Sequence, residues 1–455
     1  MTMPKQSVLG ARTRVGASLV LVVAATMLFS GCGKLLEVTN PNQVNETELS
    51  KPAAAAAVAN GAFATVSNGT SASLLAVSAV SDELKWVGSY DSGRDLAAGN
   101  VSNPRNEFIM SAFPLAAQGR WMADDAIKLL AAFDTASDPK SRLPVRSDLA
   151  RAYIYGAVSY ASIADMWDDF ALSDRRAAAP PLGPTGMIKM YDTAIGYLDK
   201  AITVAKATSS PSLEATALAL RARARHARAV RSLVTPKGKS PANPLVNDAA
   251  AVADAQAFLA LNPDADYKFR FLYSATTYPN TLGAWVNERR EFRPSDVYVV
   301  PDATDKQVGS IRYTDPITGK ADPVLTASIN EFKGSRQYGP LTIVSAREIR
   351  LILAEAALAQ NDVPGAVTQI NAVRALDALP AYDPAAPGAP APLAMLKHER
   401  RVNLFLQGRR LLDMYRFGEA SPLWQNNAEA VRVPGTLLPI ADVERTSNCY
   451  IIGSC

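Results

Sequence analysis

Two histidines, His226 and His398, and three cysteines, Cys32, Cys449 and Cys455, are the scarcest chemistry-bearing residues of this 455-residue chain. A Ser-His-Asp triad would have to use one of those histidines, and both stand in arginine-rich helical stretches where a surface role is the expectation. No thiol or imidazole is spaced as zinc ligands are, so no metal site and no cofactor is expected. A Gly-x-Ser-x-Gly elbow, a phosphate-cradling glycine loop and a HExxH pair are all missing from the sequence. The adjacent carboxylates Asp124-Asp125 and Asp168-Asp169 are two acids each, as a glycosidase needs. Neighbours on a helix point in different directions, so neither pair makes an acid and nucleophile facing one bond. The sequence reads as a protein that is not an enzyme.

What the sequence does offer is material for recognition. Sugar rings are held by aromatic faces that cover their C–H patches and by planar groups that read their hydroxyls. Trp86, Tyr90, Tyr278 and Trp285, with Asn280, Asn287 and Arg289, are the candidate ligand-binding residues. Each alone reads as a packing residue, and the expectation rests on the cluster.

These positions must be held by a scaffold that is mainly helical. Glu46–Asn68 reads as an alanine-rich helix, and Leu74–Ala98 carries Ser81-Asp82-Glu83 and then Trp86 and Tyr90 in a Gly/Ser-rich loop. Apolar periodicity predicts helices at Phe113–Phe133, Arg146–Trp167, Met187–Lys206 and Ser212–Val234, separated by polar, proline-bearing breaks. Small residues at Ala152, Gly156, Ala161 and Ala164 suit close crossings, in the manner of tetratricopeptide hairpins, although the 34-residue consensus is absent. The last of these helices carries Arg221, Arg223, Arg225, Arg228 and Arg231, interleaved with alanines and not aromatics. That favours a solvated or carboxylate-paired face over a phosphate-binding stripe.

After a short helix at Asn247–Ala260, Pro236–Tyr338 turns irregular, rich in proline, glycine and aromatics, with short strands. Arg347–Gln360 and Pro364–Ala375 form a last helical hairpin, and Leu379–Pro392 reads as an exposed polyproline-like loop. Leu396–Gly418 then reads as one largely buried helix, with Val402, Phe405, Leu406, Leu412 and Tyr415 at helical spacing. Gly408 falls in its middle, where it costs about 1 kcal/mol relative to alanine and implies close approach of another backbone. Charges returning along a buried helix must fork onto one another or onto carbonyl groups.

Those same charges carry a family resemblance. Glu399-Arg400, Leu404, Gly408, Arg410, Asp413, Arg416 and Gly418 in that order resemble the C-terminal signature of the SusD/RagB family of outer-membrane nutrient-binding lipoproteins. Glu348 to Glu355, followed by Ala366, Ile370, Asn371 and Arg374, resembles the segment before it, and Leu438-Pro439-Ile440 with Glu444 and Asn448 resembles the tail. Asn403 and Gln407 depart from the family's usual glutamates, and Ala441 stands where a second proline is usual. Asp305-Lys306-Gln307 is a degraded form of an Asp-Pro-Arg motif. The resemblance implies a SusD-like α-α superhelix that binds oligosaccharides or other nutrients and caps a TonB-dependent SusC-like transporter. A periplasmic protein-interaction scaffold and, more weakly, a carbohydrate-active enzyme are the rival readings.

The chain's start fits export. Lys5, Arg12 and Arg14 precede the apolar run Ala17–Phe29, too short for the about 20 residues of a comfortable membrane span. Phe29-Ser30-Gly31-Cys32 resembles a lipobox, which predicts cleavage before Cys32 and its lipidation. The formal charge of +4 loses those three cations with the leader, so nucleic-acid binding gains no support. In an exported chain Cys449 and Cys455 are expected to form a disulfide, stabilising by about 2 kcal/mol. The expected organisation is thus a signal peptide over 1–31, a lipidated tether over 32–45, a helical region over 46–235, a loop-rich region over 236–340 and a signature region over 341–455, anchored at the outer membrane.

Overall fold

Alanine, serine and glycine dominate the first long helix, and they let its neighbours come close. The computed structural model describes residues 46–136, 142–174 and 177–455. The leader, the tether and Cys32 lie outside the described residues. Glu46–Leu49 is a short helix in a first unit that ends at Ser50. All that follows concerns the second unit, Lys51–Cys455.

Helix α1 (Ala55–Val80) runs unbroken past Asn68 into the segment that begins at Leu74, and it is preceded by a single 3-10 turn at Pro52–Ala54. A short strand β1 (Leu84–Trp86) and helix α2 (Asp91–Ala97) follow, and α3 (Glu107–Ala136) returns to pack along α1. At their crossing, a Cβ on Gly69 would lie 2.6 Å from the Leu115 carbonyl oxygen. Only glycine admits that approach. Helices α4 (Arg142–Met166), α5 (Gly183–Ala207), α6 (Pro211–Leu233) and α7 (Ala249–Leu261) continue the array, each packed on the one before. Their boundaries fall within a few residues of those the periodicity predicts, apart from N-terminal starts four residues earlier in α4 and α5.

The α6 arginines divide by face. Arg221 and Arg225 grip Asp254 at 2.5 and 2.7 Å, and Arg228 meets Asp192 at 2.9 Å, while Arg223 and Arg231 turn into the core. Carboxylates satisfy the outer face and leave no phosphate-binding stripe.

The irregular region contains three small antiparallel pairings. Strand β2 (Lys268–Phe271) will pair with a later strand, β3 (Phe292–Pro294) pairs with β1, and β4 (Val299–Pro301) forms a hairpin with β5 (Val308–Ile311). Helix α8 (Pro323–Gly334) was not expected from the sequence. Its start is nonetheless well marked, since the Asp322 carboxylate accepts from the Leu325 N–H and Pro323 occupies the first turn. Strand β6 (Leu341–Ser345) closes the β2 pairing, and Ser345 caps α9 (Ala346–Ala359) through the Glu348 N–H. Helix α10 (Val363–Arg374) completes the hairpin. In the following loop Tyr382 is buried and donates its hydroxyl to the Pro390 carbonyl. Asn371 brackets it, accepting from the Tyr382 N–H at 2.7 Å and donating to its carbonyl at 3.0 Å. That loop is therefore anchored, not fully exposed as expected.

The predicted helix Leu396–Gly418 is two helices, α11 (Pro392–Asn403) and α12 (Arg410–Arg416). Between them Leu406 and Gly408 are left-handed, with φ of 56° and 79°. Gly408 is thus a turn residue and not a mid-helix one, and a Cβ placed on it would meet the side chains of Leu74 at 3.3 Å and Met166 at 3.9 Å rather than another backbone. The apolar periodicity misled because Phe405 and Leu406 are buried in the turn just as they would be in a helix.

Buried ion pairs lock this break to the rest of the chain. Arg400 forks onto Asp413 at 2.9 and 3.1 Å, and Arg416 bridges Asp413 and Glu355. Glu355 also accepts from the Val246 N–H and meets His226 Nε2 at 3.0 Å. Arg410 forks onto Asp82 at 2.7 Å, Arg409 onto Glu348, and Arg374 joins Asp315 to Glu399. Burial alone would push the Glu355 carboxyl up, yet Arg416 and His226 hold it well below its ordinary value. The signature residues are internal architecture, as charges on a buried segment must be. The tail ends with Cys449 bonded to Cys455, their α-carbons 4.9 Å apart.

Candidate functional site

The β1–β3 pairing is what assembles a surface from distant parts of the sequence. Trp86 sits opposite Phe292, and Tyr90 caps α2 just beyond. On the other side a π-turn, Ala284–Glu288, presents Trp285, with Arg289 following it. Tyr90 meets Trp285 edge to face at 5.1 Å, and Phe108 lies beneath at 4.8 Å from Trp285 and 5.3 Å from Phe292. The Arg289 guanidinium stands 4.4 Å over the Trp285 ring, and Arg94 stands 5.7 Å over Trp86. Tyr90 is 37% exposed and Arg289 is exposed, while Trp86 and Trp285 are half-buried. The result is a platform with an aromatic edge and a cation–π lid.

Glu291 fixes this platform and was not singled out from the sequence. Its carboxylate accepts from the Ser89 and Tyr90 N–H groups at 2.6 and 3.2 Å and from the Ser89 hydroxyl at 3.1 Å. The signal was slight: one of two nearby acids, two residues after Arg289, with its partner loop about two hundred residues earlier.

Three of the seven expected ligand residues do not join the platform. Asn280 is fully buried, caps the turn at Leu282 and Gly283, and donates to the Gly339 carbonyl at 2.7 Å. Asn287 donates its amide to the carbonyls of Phe332 and Arg336, both at 2.8 Å. Both are structural, because every buried turn needs its orphan groups met. Tyr278 is 40% exposed in the adjoining loop and stands outside the ring cluster.

A separate cavity of about 330 Å³ opens between β2, β6, α8 and the Leu404–Gly408 turn. Arg270, Ser328, Glu331, Thr342 and Gln407 are among its lining residues, and none of the seven expected ligand residues is.

The groups weighed for catalysis are engaged elsewhere, except Asp125, which is exposed. Asp124 accepts from the hydroxyls of Tyr160 and Tyr197 at 2.8 and 2.7 Å, and Asp168 and Asp169 accept from the Leu437 and Gly183 N–H groups. Both histidines are buried, contrary to the surface role expected for them. His398 meets Asp322 at 3.0 Å and stacks on Tyr313. Asp315, Asp322 and His398 lie close enough to share an ion, but Arg374 already occupies Asp315 at 2.7 Å. A guanidinium there supplies the positive charge a metal would bring.

Residues 347–435 match the model of the SusD family. Solved SusD superfamily proteins share the fold. One from Bacteroides thetaiotaomicron superposes with a TM-score of 0.62 at 11% identity, over 88% of this chain and 98% of that one. Another, from Parabacteroides distasonis, gives 0.58 at 13% identity, over 90% and 98%. The fold is thus the one those SusD superfamily structures share, and residues 347–435 carry the SusD-family sequence pattern. A SusD-like carbohydrate binding protein from Bacteroides vulgatus is similar at a TM-score of 0.52 and 13% identity, over 81% of this chain and 84% of that one. No curated protein matches the chain significantly.

The SusD-family match covers the buried ion-pair break and stops short of the platform, all of whose residues precede Arg347. Within it, the departures from the SusD pattern are accommodated. Asn403 accepts from Arg347 at 3.0 Å and donates to Glu399 at 2.9 Å, a role that a carboxylate could fill only in part. Beyond the match, Ala441 is buried at the start of a short helix whose Asp442 N–H reaches the Pro104 carbonyl.

Proposed function

We propose that this SusD-like chain is an outer-membrane lipoprotein that captures glycans on the Trp86, Tyr90, Trp285 and Arg289 platform. It passes them to a TonB-dependent SusC-like barrel without breaking a bond. The observation that carries the reading is the exposed Tyr90 edge beside the Arg289–Trp285 stack, held rigid by Glu291. A sugar ring needs an apolar face and planar donors at one place, and those residues are the aromatic rings and the guanidinium. A SusD-like neighbour described as carbohydrate binding supports the ligand class. The region 46–235 would serve as scaffold and transporter-facing surface, 236–340 would supply the ligand loops, and 341–455 would hold them together.

Screening the full mature chain against a glycan array and a peptide array tests the ligand class. Glycan signals that fall with Tyr90→Ala are expected, and peptide binding alone would overturn it. Anchoring is tested separately. Cys32→Ala should move the protein from the outer-membrane fraction to the soluble envelope fraction, and unchanged membrane retention would contradict lipidation at Cys32.

A further inference from the structure

Arginine in this protein is nearly always tied to an acid or a carbonyl, and Arg289 breaks the habit. Among the described residues it is the one arginine whose guanidinium makes neither an ion pair nor a hydrogen bond, and its one contact is the Trp285 ring at 4.4 Å. Acids are not lacking nearby. Glu288, one residue before, is forked by Arg336 at 2.7 and 2.8 Å, and Glu291, two residues after, holds the Ser89 and Tyr90 N–H groups. Arg290 meanwhile meets Asp305 at 2.7 Å.

The platform's other stacked arginine makes the contrast. Arg94 stands over Trp86 as Arg289 stands over Trp285, but Asp91 pairs with it at 3.0 Å. Arg289 therefore keeps both its charge and its fork of N–H donors free, on an exposed residue. Stacking on an exposed indole face holds it by only about two- to five-fold, so a ligand with a better partner turns it readily. The partner that matches a planar guanidinium is a carboxylate, whose two oxygens take two parallel charge-assisted bonds where a hydroxyl offers one neutral oxygen.

We propose that Arg289 is the specificity-determining residue of the platform, and that the glycans it favours carry a carboxylate, as uronic acids do. The inference rests on the platform reading and narrows its ligand from sugars in general to acidic ones.

A glycan array that pairs each uronic-acid oligosaccharide with its carboxyl-reduced form, probed with the full mature chain, tests this. The two members of a pair differ only in carboxylate against hydroxymethyl, so their signal ratio reads the carboxylate and cancels any general loss of binding. In the wild type the acid form should bind about five-fold more tightly, the upper range for a solvent-exposed ion pair with forked geometry. Arg289→Gln should bring the ratio close to one, and Arg289→Lys, which keeps the charge without the fork, should retain part of it. Arg228→Gln, which removes an exposed charge on the outer face of α6, should leave the ratio as it is. Equal binding of both members by the wild type, a preference for the reduced form, or a ratio that survives Arg289→Gln would overturn the proposal while leaving the platform in place. Failure to bind any glycan would overturn the platform reading, and this proposal with it.

Discussion

At the residue scale, Glu83 is the group whose chemistry is most at odds with its place. It is fully buried, accepts from the Leu406 N–H at 2.6 Å, and takes the hydroxyls of Ser78 and Ser81 at 3.2 and 3.3 Å. Burial, with Asp82 beside it, pushes its carboxyl from 4.5 up to about 7. In the unfolded chain the same acid ionises near 4.5, so between about 4.5 and 7 the folded state binds more protons. Glu83 therefore removes stability as pH rises through that window, by about 3 kcal/mol once the shift is complete. Glu355, Glu348 and Asp413 act oppositely. Burial opposes their charge, but their arginines hold their carboxyls low, and the stability they lend is lost as pH falls below their unfolded values. Denaturant melts across pH should show stability rising to about pH 4.5 and then declining toward 7, and Glu83→Gln should flatten the decline. An unchanged slope in that variant would mean that another group titrates there. None of this was legible in the sequence, where Ser81-Asp82-Glu83 is a short polar run whose partners Leu406 and Arg410 lie more than three hundred residues away.

At the element scale, the break between α11 and α12 organises the signature region. Its left-handed Leu406 aims an N–H at Glu83, and Gly408 completes the reversal. Gly408→Ala puts a Cβ on a residue with φ of 79° and within 3.3 Å of Leu74, so it should cost roughly 1–3 kcal/mol. Thermal melting would show it, and a neutral substitution would point to a helix running through. Long amphipathic helices were readable because each buries one periodic face, as α3, α5 and α6 do, whereas α4 is buried almost all round from Asp148 onward. The break was not, because a buried turn keeps the same apolar residues in a row. Helix α8 was hidden inside an aromatic and proline-rich stretch, although Asp322-Pro323 announces it. The platform was legible only as a composition. Four of its residues were named, but the β1–β3 register that joins them is a tertiary fact, and the asparagines Asn280 and Asn287 turned out to serve the backbone.

At the scale of the whole molecule, a helical array secured by buried ion pairs carries a small exposed patch of aromatics and arginine, while Asp124, Asp168 and Asp169 are bound into the scaffold. That division is what a capture protein requires: rigidity where the charges are and an open face where the rings are. Isothermal titration of the full mature chain with an array-positive oligosaccharide, comparing wild type with Tyr90→Ala and Trp285→Ala and analysing the sugar afterwards by mass spectrometry, tests the account most directly. The predicted result is binding weakened at least about ten-fold, or about 1.4 kcal/mol, in both variants, with the oligosaccharide recovered intact. Undiminished binding in both variants, or a shortened sugar, would contradict it.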